Sequence, residues 1–275
     1  MSRFQSLFGL SARIPQQKMK PTGEWYPVLD ASELLKPHHE LLDQIRQCFG
    51  VPETVWTSTH GQLIQNFARR VQLLPTCEEG PPMELGGLIR LRLETVNHAL
   101  KIRRGYMLPN GASTECISEQ QEIWSFAVLS AALLHDIGIS LADVMLIVKH
   151  HNGGESLWSL ACGDLPAETS YHPDSNRVRS DKQCQALQLL VTGQLIPASA
   201  LLWLSQYPDV FKLWLLMLSG RCAEAGILGE IITKADQYAT AKPISRNWSG
   251  QRREGIHFQS SPPENTVEVM GQEST

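Results

Sequence analysis

The sequence predicts a mostly α-helical fold with a small β-hairpin. Apolar residues recur at helical spacing through most of residues 30–241, and glycine, proline and Asn-Gly turn signals separate these stretches. One segment, "DVMLIVKHHNGGESLWSLA", instead has two short apolar runs around an Asn-Gly-Gly turn, which is typical of a hairpin. With 42% hydrophobic residues among 275, the chain can bury a substantial core.

The helices are predicted from the residues at which the periodic stretches start and stop. Gly50 and Pro75 end the first two stretches, because glycine and proline both interrupt helices. Ser118, with Gln121 three residues later, forms a capping box at the start of the fourth. Helices are expected over residues 37–49, 54–74, 88–102, 118–135, 181–192, 197–206, 209–219 and 221–241.

The chain divides into three regions by composition. Residues 1–29 contain three prolines and little periodicity, so we expect an N-terminal arm. Residues 30–241 form one predicted helical domain. Residues 242–275 are polar and rich in serine, proline and glycine, and we expect a disordered tail.

Charge, cysteines and missing motifs exclude several classes of protein. The net charge of −4 and the isoelectric point near 6.1 indicate no general basic surface, so any nucleic-acid contact must be local. Six widely spaced cysteines without a C-x-x-C pair favour a reducing, cytoplasmic setting. The sequence predicts no membrane span, and the absence of P-loop and G-x-G-x-x-G motifs predicts no nucleotide cofactor.

The segment "FAVLSAALLHDIG" carries the strongest candidate site. A long apolar helix ends in His135 and Asp136, two groups that are costly to bury unless they are paired or bind a metal. Gly138 is expected to let the helix stop so that both side chains can reach one ion. Asp236, in "ILGEIITKADQY", is the best later candidate for a further metal ligand. A helix-end pair hydrogen-bonded to the backbone would explain His135 and Asp136 without a metal.

The other histidines and one basic cluster give weaker signals. His60 and His98 are expected to be structural, and His38 and His39 to face solvent. The adjacent pair at 150–151 lies in the predicted hairpin turn and could supply a further ligand to a metal. The segment "KIRRGY", residues 101–106, could contact phosphate, although a solvated helix end is the more common meaning of such a cluster.

Four segments in order resemble the N-terminal domain of TraI-type relaxases of the MobH class: "NFARRVQLLP", "GGLIRLRLETVNHALKIRRGYMLPNGA", "WSFAVLSAALLHDIG" and "IITKAD". These proteins belong to integrating conjugative elements and related plasmids, and are also labelled helicase/relaxase domain proteins. The resemblance covers residues 24–240. It implies an HD-hydrolase-like helical fold, a divalent metal (Mn, Fe, Ni or Zn) and DNA processing at the origin of transfer. By the same resemblance, His135, Asp136 and Asp236 are metal ligands.

The chain departs from the family pattern where the family has further histidines. Leu91 stands at the position of the first metal ligand, and Gly80, Pro81 and Pro82 stand where the family has three consecutive histidines. Ile139 replaces a lysine that is common after the His-Asp segment. The family proteins are also usually longer, with a further C-terminal domain.

Three hypotheses follow from the match and its departures. The first is a catalytically degenerate, relaxase-like accessory factor in DNA transfer, with DNA and relaxosome or transfer proteins as partners. The second is an active metal-dependent HD-type nuclease or phosphohydrolase that nicks DNA at the transfer origin. In that enzyme His135, Asp136 and Asp236 would bind the metal, with a fourth ligand from His150 or His151. The third is a decaying gene product without activity.

Overall fold

The computed structural model describes residues 25–76, 85–142, 144–174 and 181–241. It confirms a mostly α-helical fold with a small antiparallel sheet. The predicted tail lies outside the described residues, as do residues 1–24 of the predicted arm and the departures at Gly80, Pro81 and Pro82.

The predicted helices are found in the predicted order, but the helices Ala31–Leu35 and Ile137–Ala142 were not predicted, and the last helix begins at Gly226 instead of residue 221. The helices of the described residues are α1 (Ala31–Leu35), α2 (His39–Arg46), α3 (Glu53–Ser58), α4 (His60–Val71), α5 (Gly87–Arg103), α6 (Thr114–Leu134), α7 (Ile137–Ala142), α8 (Asp181–Leu195), α9 (Ala198–Ser205), α10 (Pro208–Leu218) and α11 (Gly226–Ala241). The strands are β1 (Tyr26–Pro27), β2 (Met145–Lys149), β3 (Glu155–Ser159) and β4 (Ser170–Asp174).

The sheet contains the predicted hairpin and two further strands. Its order is β1-β4-β2-β3, and all neighbouring strands are antiparallel. β2 and β3 form the predicted hairpin, with His150 and His151 between them. β1 lies in the segment predicted to be an arm, and Tyr26 there faces Tyr171 of β4 across the ladder.

Two of the differences from the predicted helices have clear local causes. The stretch 54–74 is not one helix: α3 and α4 meet at Thr59, whose backbone (φ −125°, ψ −77°) is not helical. The central helix α6 begins at Thr114 rather than at Ser118. Ser113 has an extended backbone, and its hydroxyl accepts a hydrogen bond from the Cys116 amide, so Ser113 caps the helix.

Helix α6 forms the centre of the core. Each of its residues from 123 to 134 is buried, and α4, α5, α9, α10 and α11 all pack against it. Among the described residues, one helix (Thr114–Leu141) is long and apolar enough to cross a membrane, but 89% of its apolar window is buried inside the fold. Burial of this kind is typical of the core helix of a globular domain.

The packing of α5 and α11 determines what the end of α6 meets. These two helices lie against each other and both contact α6. Side chains from α5 and α11 can therefore reach the C-terminal end of α6, where the chain turns into α7.

Candidate metal centre

His135 and Asp136 occupy a two-residue break between α6 and α7. Gln188 of α8 bridges this break: its Nε2 donates to the Leu134 carbonyl at 2.5 Å, and its Oε1 accepts from the Gly138 amide at 2.7 Å. The expectation that Gly138 stops the helix is wrong, because Gly138 lies inside α7. Instead, the amide side chain of Gln188 satisfies backbone groups on both sides of the break.

The His135 ring is fixed by acceptors on both of its nitrogens. Nδ1 lies 3.2 Å from the carbonyls of Ala131 and Ala132, and Nε2 lies 2.6 Å from Asp236 Oδ2 and 3.3 Å from Asp136 Oδ2. With carbonyls beside Nδ1 and carboxylates beside Nε2, the doubly protonated imidazolium can donate a hydrogen bond from each nitrogen. Burial opposes that charge, but hydrogen bonds with the two carboxylates outweigh it and raise the pKa of His135 to about 9.

Asp236 reaches the same point from α11. Its Oδ1 accepts a hydrogen bond from the Thr95 hydroxyl of α5 at 3.3 Å, while its Oδ2 faces His135. The three predicted ligands therefore come together: one nitrogen of His135 and one oxygen each of Asp136 and Asp236 lie within 4.8 Å of one another. In the described part of the chain this is the one group of three such donors.

Arg92 of α5 is a fourth member of this cluster, and the sequence reasoning did not find it. Its Nη2 lies 3.1 Å from Asp136 Oδ2, and its Nη1 lies 3.6 Å from Asp236 Oδ1 and 3.5 Å from His135 Nε2. Burial alone would raise the pKa of Asp136, but His135 and Arg92 hold it well below its usual range. Arg92 and the imidazolium together balance the charges of the two aspartates.

The cluster, arranged in this way, does not fit a divalent metal. The donors come from only two segments, and Leu91, four residues before Thr95 and so on the same stripe of α5, offers no ligand. A metal would also lie beside the Arg92 guanidinium. Repulsion between two unit charges 4 Å apart costs about 4 kcal/mol in a partly buried setting, and about twice that for a divalent ion. His135 would in addition have to lose its Nε2 proton before it could bind a metal.

Cys222 lies close enough to the cluster for the charges of Asp136 and Asp236 to act on its thiol. Burial raises the pKa of its thiol, and the negative charges of Asp136 and Asp236 raise it further. A thiol that stays protonated is a poor metal ligand, since the thiolate is the form that binds. Cys222 therefore does not complete the donor set in the present arrangement.

Within the described part of the chain, the other histidines do not join the cluster. His150 Nε2 lies 2.7 Å from the Ser156 hydroxyl, and His151 lies 3.5 Å from Glu168, so both make their contacts around the hairpin rather than with Asp136 or Asp236. His60 is completely buried among aromatic rings, as expected of a structural residue.

A family model named TraI_2, with the description "Putative helicase", matches residues 26–258 of the chain. The match includes α1 to α11 and therefore all four members of the cluster. No curated protein matches the chain.

Proposed function

The chain belongs to the TraI_2 family, and on that premise we propose that it is a relaxase-like accessory protein in DNA transfer. The family supports a conjugation-associated role. We place the protein in the cytoplasm, encoded by an integrative or conjugative element, with DNA and relaxosome proteins as partners. In this proposal it does not catalyse DNA cleavage.

The proposal that catalysis is lost rests on the side chains available to bind a metal. His135, Asp136 and Asp236 lie where an HD-type metal centre would need them, at the end of a central helix and on a late helix packed beside it. Helix α5 passes the same point, but Leu91, one helical turn before Thr95, cannot bind a metal. Hydrolytic metal sites need enough protein ligands to hold the ion and an open position for water. Three donors already paired with one another and with an arginine do not meet that requirement.

A local basic surface supports DNA as a partner. Lys101 and Arg104 are exposed at the C-terminal end of α5, and Tyr106 follows them. The Tyr106 hydroxyl lies 3.4 Å from Nζ of Lys234 on α11, but Lys234 is paired with Glu230 at 2.6 Å, so the net positive charge of this surface comes from Lys101 and Arg104. Since the net charge of the chain is −4, a DNA contact must use a patch of this kind.

The test is a combined cleavage and binding assay. A supercoiled plasmid that carries the element's transfer origin should remain uncut by the purified chain with added Mn²⁺, but should shift in a gel in a salt-sensitive manner. A Lys101→Gln/Arg104→Gln variant should lower the slope of log affinity against log salt by about 2, since each phosphate contact contributes about 0.9. Lys36→Gln, which changes an exposed lysine on a different segment, is the matched control and should leave the slope unchanged.

The alternative function is an active metal-dependent nuclease or phosphohydrolase that nicks DNA at the transfer origin. The observation in its favour is the convergence of three donor atoms within 4.8 Å. It requires Arg92 to move away and a metal to enter. In that case the wild-type chain should nick the plasmid and an Asp136→Asn variant should not, whereas the accessory role predicts that Asp136→Asn supports DNA transfer in cells as well as the wild type does.

A further inference from the structure

The Arg92 side chain lies at the centre of the cluster. Its two terminal nitrogens contact a carboxylate from the α6–α7 break and a carboxylate from α11, and one of them also lies 3.5 Å from His135 Nε2. His135 Nε2 itself lies 2.6 Å from Asp236 Oδ2 and 3.3 Å from Asp136 Oδ2, so Arg92 and His135 contact the same two carboxylates.

The placement of Arg92 is unusual for a charged residue. Only 9% of its side chain is exposed, whereas the side chains of Asp136 and Asp236 are 40% and 31% exposed. The buried partner is therefore the cation, and the two anions remain accessible from solvent. This is the arrangement expected when a cation inside the protein holds acidic groups from two chain segments together.

We propose that Arg92 is a built-in replacement for the divalent cation, so that removing its charge turns the cluster into a divalent-cation site. This inference rests on the proposed function, because it explains how a chain without a metal keeps His135, Asp136 and Asp236 in place. The guanidinium bridges α5, the end of α6 and α11, as a bound ion would do. Without it, two carboxylates and an imidazole remain within 4.8 Å of one another, a donor set suited to Mn²⁺, Fe²⁺ or Zn²⁺.

The decisive variant is Arg92→Met, which keeps the aliphatic stem of the side chain and removes its charge. Purified without a histidine tag, this variant should be less stable than the wild type and should bind Mn²⁺ near one ion per chain. Mn²⁺ at about 100 times its dissociation constant should raise its melting temperature by roughly 5–10 °C. The melting temperature of the wild type should not respond to Mn²⁺.

Two control variants separate metal binding from a general loss of stability. Arg70→Met removes another arginine from a carboxylate pair of matched burial: the Arg70 side chain is 5% exposed, and its Nε lies 2.8 Å from Asp164. It should also be destabilised, but Mn²⁺ should not restore it, because the described residues form no cluster of three donors around it. Arg92→Lys keeps a positive charge and should bind little Mn²⁺.

The outcomes distinguish this inference from the proposed function. Metal-free wild type together with Mn²⁺ binding by Arg92→Met supports the inference. Arg92→Met that binds no Mn²⁺, or stays unfolded with and without Mn²⁺, overturns the inference and leaves the proposed function standing. Equal Mn²⁺ responses in Arg92→Met and either control would also overturn it. A wild type that binds metal and nicks origin DNA contradicts the proposed function itself.

Discussion

One buried histidine, His60, should contribute a loss of stability on mild acidification, opposite in sign to the contribution of His135. Its side chain is completely buried, with the rings of Phe49, Trp56 and Phe126 centred 4.5, 5.2 and 4.9 Å from its own. Thr59 Oγ1 donates to a backbone carbonyl, so it accepts from His60 Nδ1 at 2.7 Å, and Nε2 has no hydrogen-bond partner. Burial, with a smaller effect from a nearby arginine charge, lowers the pKa of His60 to about 3.

The size of the effect follows from proton linkage. Unfolded His60 binds a proton below pH 6.5, whereas folded His60 stays neutral down to about pH 3. The contribution of neutral His60 is therefore fully present above pH 6.5 and is lost as the pH falls from 6.5 towards 3. The free energy of unfolding that His60 contributes falls by about 1.36 kcal/mol per pH unit below pH 6.5. Its loss between pH 8 and pH 5 is therefore about 2 kcal/mol.

Urea unfolding of the wild type and of His60→Phe at pH 8 and pH 5 measures this loss. Phenylalanine suits the aromatic surroundings and does not titrate, so the variant should lose about 2 kcal/mol less than the wild type over this range. His39→Gln, which replaces an exposed histidine, is the control. Equal pH dependence in the wild type and His60→Phe would refute the claim that His60 is held neutral by burial.

Three further predictions concern the site and its supports. Because the pKa of His135 is raised to about 9, its stabilising contribution is fully present below pH 6.5 and is lost as the pH rises through 9. In the same urea assay, His135→Gln should reduce the decrease in the free energy of unfolding between pH 6.5 and pH 9. Gly229→Ala would place a Cβ 2.1 Å from a backbone carbonyl and should cost about 1–3 kcal/mol or more by thermal unfolding. Gly193→Ala in α8 adds a Cβ with no atom within 4 Å and should instead stabilise the protein by about 0.5–1 kcal/mol. Equal effects of Gly229→Ala and Gly193→Ala on stability would contradict the packing described. Leu91→His should bind no Mn²⁺ by metal analysis while Arg92 is present, whereas Leu91→His/Arg92→Thr should bind it; metal in the single variant would contradict the role given to Arg92.

The sequence was informative where local pattern decides the structure. The unbroken apolar character of α6 predicted a central helix, and the acids and the histidine at the ends of apolar helices predicted the convergence of His135, Asp136 and Asp236. These residues could be found because a charged group at the end of a buried helix needs a partner. The Asn-Gly-Gly turn likewise predicted the β2–β3 hairpin.

The sequence was less informative where distant segments meet. β1 pairs with β4 more than 140 residues later, and no local pattern in "WYPV" indicates that strand. Gln188 and Cys222 are unremarkable in sequence, and only the packing of α8 and of the turn before α11 brings them near His135 and Asp136. Arg92 did leave a signal: in "IRLRLE", Arg90 and Arg92 are separated by about 200° around a helix, so the two cannot both lie on one solvent-facing stripe.

Metal analysis of the untagged wild-type chain is the most direct test of the central claim that the cluster is balanced by Arg92 instead of a metal. The protein would be equilibrated in turn with Mn²⁺, Fe²⁺, Ni²⁺ and Zn²⁺, passed through a desalting column and measured for bound ions. The account predicts no more than trace metal in each case. Near one ion per chain, lost in an Asp136→Asn variant, would contradict it.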